Sequence, residues 1–127
     1  MRKQVIRTSA APASALFSQA VKVGATIYVS GTAGFDPKTG QPAGSTVQEQ
    51  TRQALLNCES ILKAAGATRD DVVDVHVLIS RPGDFAGMNE EYARFFSQDP
   101  PARVVSRLGP ELPNVLVSIR MTAILGE

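Results

Sequence analysis

The chain has 127 residues, 43% of them apolar and 20% charged, and 13 Lys plus Arg against 12 Asp plus Glu leave a formal charge of +1. That is enough apolar chain for one core and a single domain over residues 1–127, and the balanced charge gives no reason to expect nucleic acid or an anionic membrane as partner. One Cys, Cys58, rules out an intrachain disulfide, and with one His, His76, an ordinary Zn site is hard to build from a single chain. No apolar run approaches the ~18 residues of a membrane span, and the start MRKQVIRTSAAP lacks an apolar leader core, so a soluble, cytoplasmic domain is expected.

Taken in chain order, residues 3–7 (KQVIR) read as a short strand, and SAAPASA (9–15) is small and turn-prone. Residues 21–31, VKVGATIYVSG, hold two β-rich runs around Gly24-Ala25, a hairpin signal. DPKTG (36–40) is a turn leading to the first helix. From Val47 through Thr51, Ala54, Leu55, Cys58, Ile61, Leu62 and Ala65 the apolar or small positions recur at steps of three and four. Thr46 and Glu49 stand at capping-box spacing, and Gly66 follows where a left-handed terminator is wanted. Val72–Ser80 is nearly continuous and β-branched, as a strand buried on both faces would be. A second helix is predicted from an Asp84 N-cap, with Phe85, Met88, Tyr92, Phe95 and Phe96 on one face. Residues 103–108 and 115–125 give two more strands.

The order is β-β-β-α-β-α-β-β, an α+β domain with two helices on one face of a mixed sheet. Two helices cover only one face. Yet the last strand sets Val115, Val117, Ile119, Met121 and Ala123 on one side and Leu116, Thr122 and Ile124 on the other, so both sides read as apolar. A closed homo-oligomer burying the second face is the simpler account, with Val117 placed near that contact or in the core beside it.

Phosphate-binding, zincin, C-x-x-C and G-x-S-x-G patterns are all missing from the sequence, and Gly31-Thr32-Ala33-Gly34 lacks the helix a dinucleotide loop needs. His76 is open to a general-base reading, but without partner residues a locally hydrogen-bonded strand histidine is favoured. Cys58, on the apolar helix face, reads as a buried inert thiol. In Pro100-Pro101-Ala102-Arg103 the prolines hold the chain extended before releasing it into a strand that opens with a guanidinium. Such a fixed fork suits a carboxylate, although an ordinary surface ion pair is the alternative.

Several segments together resemble a known family. They are V-x-V-G-x-x-I-Y-V-S-G, D-P-K-T-G, N-C-E-x-I-L-K-A-A-G-A, D-V-V-D-V-H-V-L-I, D-F-A-x-M-N-E-E-Y-A-R-F-F and P-P-A-R-V, spread over roughly residues 5–125. In this order and spacing they resemble the Rid family, reactive intermediate deaminases also called YjgF-like or L-PSP-type. The resemblance implies a chorismate-mutase-like fold and a homotrimer with ligand clefts between subunits. It also implies hydrolysis of enamines and imines such as 2-aminoacrylate to 2-keto acids and ammonia, without a cofactor. By the same resemblance Arg103 grips the substrate carboxylate, Ser30 and Gly31 line the cleft, and Asn89 matches an asparagine on the second helix.

Three positions depart from the family pattern. Phe17, preceded by Leu16, stands where deaminating members have the Tyr of G-P-Y, and Val105 replaces a cysteine two residues after the arginine. The usual L-V-E-I-E-A-I motif reads Leu116-Val117-Ser118-Ile119-Arg120-Met121. Ser118 is therefore the favoured match for the water-placing glutamate, and Arg120 the alternative. The expected function is an imine deaminase with Arg103 and Ser118 in the catalytic roles. A binder of small carboxylates with a regulatory role is the second reading, and ribonuclease activity the third, disfavoured by the charge balance.

Overall fold

A computed structural model of the chain describes residues 2–126. The elements are β1 (Gln4–Ile6), β2 (Ala20–Val23), β3 (Thr26–Ala33), α1 (Val47–Ala64), β4 (Val72–Ile79), α2 (Phe85–Phe95), β5 (Ala102–Arg107) and β6 (Val117–Ile124). The expected element order stands. The strands form a six-stranded sheet in the order β1-β2-β3-β6-β4-β5. Only β4 and β5 run parallel, across the α2 connection, and every other pair is antiparallel. Among the described residues, no helix is long and apolar enough to cross a membrane.

Local chemistry accounts for the element ends. The β2–β3 turn places Gly24 at φ 59°, a conformation that a two-residue hairpin needs and glycine adopts without cost. Helix α1 opens with a complete capping box. The Glu49 N–H donates to Thr46 Oγ1 and the Thr46 N–H to Glu49 Oε1, each at 3.2 Å. The Thr46 hydroxyl and N–H also hold the Glu49 carboxyl below its ordinary pKa. At the other end Gly66 takes φ 85°, while the Gly66 N–H donates to Lys63 O and the Ala67 N–H to Leu62 O, closing a Schellman motif.

The core lies between the sheet and the two helices. Val75, Val77, Val117, Ile119, Met121 and Ala123 are fully buried beneath Leu55, Cys58, Ile61 and Leu62 of α1 and Met88 of α2. Buried Glu91 of α2 accepts from Arg52 Nε of α1 at 2.9 Å and from Arg94 Nη1 at 2.5 Å. The Arg52 hydrogen bond is the main cause that keeps its carboxyl below the ordinary range.

Three expectations need correction. Strand β4 is buried on one face only: Val75, Val77 and Ile79 point into the core, whereas Asp74 is exposed and His76 and Leu78 are half-buried on the other side. Val117 lies in the helix-facing core, the second of the two places expected for it. The opposite face of β6 carries Ser118, Arg120, Thr122 and Ile124, so the open side of the sheet is mixed, not apolar throughout. Reading the valines without the alternation imposed by the pleat overstated its hydrophobicity. In α2, Phe85 is 46% exposed rather than on the buried face, and the Asp84 carboxylate caps nothing. A 3₁₀ turn over Pro82–Asp84 precedes the helix, and Asp84 pairs with Arg81 Nε at 2.8 Å.

Gly34 marks the tightest approach between sheet and helix, since a Cβ there would stand 2.2 Å from the Gln50 carbonyl oxygen on α1. Substituting Gly34→Ala should therefore push α1 outward and cost about 1–3 kcal/mol or more. A lowered urea midpoint with an unchanged m value is the expected readout.

Candidate functional site

Strand β3 carries a β-bulge. Val29 pairs with Met121, but Thr32 pairs with Ile119, so Ser30 and Gly31 together oppose Arg120. The bulge re-aims the end of β3 toward the start of β6. A Cβ on Gly31 would lie 3.0 Å from Ser118 Oγ, a close approach that a side chain here could make only if Ser118 shifted by a few tenths of an ångström. Ser30 is tied down on the other side, its hydroxyl donating to Ser18 O at 2.6 Å and its N–H to Gln19 O at 2.9 Å.

Beside the bulge, where β3 ends and β6 begins, lies a cavity of about 500 Å³. Phe17, Ser30, Gly31 and Ser118 line it, together with Phe35, Leu112, Pro113 and Val115. Arg120 points from the same face into a shallower neighbouring depression, shared with Phe17, Tyr28, Ser30 and Gly31. Of the two matches proposed for the family glutamate, Ser118 lines the more enclosed of two hollows of similar volume.

Irregular chain makes most of the cavity wall, and side-chain amides hold it in place. The Gln19 amide bonds to Thr8 N–H at 2.8 Å and to the carbonyls of Thr8, Ala11 and Pro12 at 2.9–3.0 Å, which fixes the segment leading to Phe17. Gln50 donates to Gly44 O and Asn114 O, each at 3.0 Å, and accepts from the Leu116 N–H at 2.9 Å. Asn57 donates to Ala33 O at 3.0 Å and Phe35 O at 2.9 Å. The sequence reading missed all three. For Gln50 and Asn57 the signal was an amide among otherwise apolar helical positions, and Gln19 stands in irregular chain before β2 with no such pattern; neither reveals what the amide would reach.

Arg103 and Asn89 form a second cluster. Arg103 Nη1 donates to Asn89 Oδ1 at 2.7 Å, and the guanidinium lies 4.7 Å from the Tyr92 ring centroid and 6.0 Å from that of Phe85. A hydrogen bond on one nitrogen and a ring against one face hold the fork and leave its other nitrogens for an anion. Tyr92 was read only as a core residue. It is buried, its hydroxyl has no partner among the described residues, and its pKa is raised chiefly by that burial. Val105, two residues on, is half-buried and packs against the core.

The two clusters do not meet within one chain. Arg103 pairs in register with Val75 on the helix-facing side of β5, whereas Ser118 pairs with Leu78 on the open side of β6. With β4 between them, two strand spacings alone amount to about 10 Å. His76 joins neither cluster: its Nε2 lies 2.8 Å from Ser106 Oγ, the local hydrogen bond favoured from sequence. Cys58 is fully buried, its thiol pushed up to about 12 by desolvation, as suits an inert core residue.

The family described as Endoribonuclease L-PSP matches residues 8–125. The chain belongs to this family, the Rid group. A 2-iminobutanoate/2-iminopropanoate deaminase of Rattus norvegicus is 41% identical over 125 residues, covering 98% of this chain and 91% of that protein. A RutC family protein of Pyrococcus horikoshii is 40% identical over 95% of this chain and 97% of its own length. The crystal structure of RidA from the Antarctic bacterium Psychrobacter sp. superposes with a TM-score of 0.90 at 36% identity, covering 96% of this chain and 99% of that one. The Rid chain thus has the chorismate-mutase-like α+β fold expected from its sequence.

Replacing Gln19→Leu in the Rid chain would orphan a backbone N–H and three carbonyls around the cavity. The expected cost is about 1–3 kcal/mol, with faster amide exchange at Thr8 and through residues 13–17 measured by hydrogen–deuterium exchange.

Proposed function

We propose that this protein hydrolyses reactive 2-imino acids to 2-keto acids and ammonia, with Arg103 as the carboxylate anchor. The observation that carries the reading is the Arg103 fork, held by Asn89 and stacked on Tyr92 with nitrogens to spare. The deaminase names of relatives about 40% identical over 98% of the chain support the reaction class.

The chemistry asks for little beyond placement. Water adds to the imine carbon, whose C=N electron pair moves to nitrogen. The resulting carbinolamine then expels ammonia as its hydroxyl proton is lost, leaving the keto acid. Holding the carboxylate on Arg103 supplies orientation, and the Ser118 hydroxyl beside Gly31 places the water. No carboxylate takes part in this arrangement, so proton transfer falls to water itself and turnover is slow relative to a site with a positioned acid–base group.

Because Arg103 and Ser118 lie on opposite sides of the sheet, the reading requires them to come from different subunits. A homotrimer with clefts between neighbouring chains meets that requirement and covers the open, mixed sheet face. The single buried cysteine suits a cytoplasmic setting.

Phe17 and Ser118, which replace a Tyr and a Glu expected by resemblance, favour a second reading: a cleft that binds small carboxylates for regulation without turnover. With 2-aminoacrylate generated from serine by a dehydratase, acceleration of pyruvate release identifies the deaminase. Calorimetric binding of 2-ketobutyrate without acceleration identifies the binder. For the deaminase, Arg103→Ala should lower kcat/KM about 10–100-fold, the loss of charge-assisted hydrogen bonds, while Ser118→Glu should raise kcat by about 10²-fold or more by restoring an acid–base group. Light scattering at micromolar concentration should give about three times 13.5 kDa, and a clean monomer would remove the shared cleft.

A further inference from the structure

We infer that the groove between α1 and α2 docks a partner protein through an acidic segment carrying one large apolar side chain. The inference does not rest on the ligand reading, and the groove lies apart from the Arg103 cluster. Helix α2 separates the two. Asn89 and Tyr92 turn toward Arg103 on β5, whereas Glu91, Arg94 and Phe95 turn toward α1. The groove is also on the helix side of the sheet, opposite the mixed face that a trimer would cover.

The groove measures about 410 Å³, with Leu55, Leu56 and Phe95 beneath and Arg52, Arg69 and Arg94 around them. Leu56 is 43% exposed, so an apolar side chain seated there would remove wet hydrocarbon from water. Charge supplies the other half of the recognition. Three guanidiniums line the groove against one carboxylate, that of Glu91. Arg69 is saturated: its Nε and Nη2 reach Glu59 at 2.8 and 2.7 Å, and its Nη1 donates to Phe95 O at 3.0 Å.

Arg52 and Arg94 are not. Each reaches Glu91 with one nitrogen, Nε and Nη1 respectively, and makes no other hydrogen bond among the described residues. Their side chains are 58% and 73% exposed. The remaining carboxylates of the two helices are engaged elsewhere, Glu49 with Thr46 and Glu90 with Gln48. One buried carboxylate therefore aims two forks outward, which reduces the ordering that binding an acidic side chain requires.

This combination selects a peptide over simpler anions. Inorganic phosphate would leave Leu56 in water. Single-stranded nucleic acid stacks on exposed rings, and here Phe95 is buried beneath the Arg69 guanidinium. An anionic lipid surface calls for a cluster of about 4–8 basic residues, more than the groove holds.

The test selects random displayed peptides on the intact protein, with counter-selection on Leu56→Ser, and measures the winners by fluorescence anisotropy. Selected peptides should place Asp or Glu beside Leu, Ile, Met or Phe. Affinity should fall about five-fold in Leu56→Ser, the share of a half-buried leucine. It should fall about ten-fold in Arg94→Gln, through lost charge-assisted hydrogen bonds. Lys63→Gln, on α1 but outside the groove, should leave affinity unchanged, and 2-ketobutyrate should not compete. Leu56 and Arg94 are exposed, so both variants should melt close to the wild type. Basic or neutral winners, no enrichment at all, or an affinity indifferent to Arg94→Gln overturns the docking surface. Displacement by 2-ketobutyrate also overturns it, because the peptide would then sit at Arg103. Displacement by inorganic phosphate, but not by chloride at equal ionic strength, would make the groove a plain anion site and overturn the peptide reading.

Discussion

Three buried side-chain amides hold the irregular part of this molecule together. Gln50 and Asn57 project from α1 two turns apart, and Gln19 stands just before β2. Between them they satisfy backbone groups of residues 8–12, 33–35, 44 and 114–116. A buried peptide group without a partner costs about 1–3 kcal/mol, so these loops have few other conformations of comparable energy. The cavity beside β3 exists because its walls are loops that cannot relax into it.

The β3 bulge adds the second constraint. One extra residue opposite Arg120 turns the Ser30–Gly31 backbone toward Ser118 and brings the two close enough that a Cβ on Gly31 would press on the Ser118 hydroxyl. On the far side of β4, the Arg103 fork is oriented by a different device, an asparagine and an aromatic ring from α2. Each half is rigid in itself, but the sheet separates them. For chemistry that uses both, assembly becomes part of the site rather than a matter of stability alone.

Local rules recovered the element order, the capping box at Thr46, the terminator at Gly66 and the Gly24 hairpin, because each is decided by groups a few residues apart. Patterning failed where burial depends on what lies across the sheet. Val72–Ile79 has too many valines to reveal which face is covered, and Phe85 sits at helical spacing with Met88 and Tyr92 although the helix turns it outward. Arg103 was legible through the prolines that precede it. Its partners on α2 belong to a crossover connection, and the role of Tyr92 beneath the guanidinium could not be read from spacing within one helix.

By itself the sequence determined the family, the fold class and the identities of the groups available for chemistry: Arg103 after its paired prolines, Phe17, and Ser118 or Arg120 on the last strand. Those follow from local periodicity and from motifs in fixed order. Only the tertiary structure decided that Ser118 faces Gly31 across a bulge, that Val117 lies in the core, and that Arg103 stands apart from the cavity. Strand register and side-chain reach are set by hydrogen bonds and packing between segments far apart in the chain, such as Gln50 with Leu116 and Thr26 opposite Ile124, and no local stretch of sequence contains them.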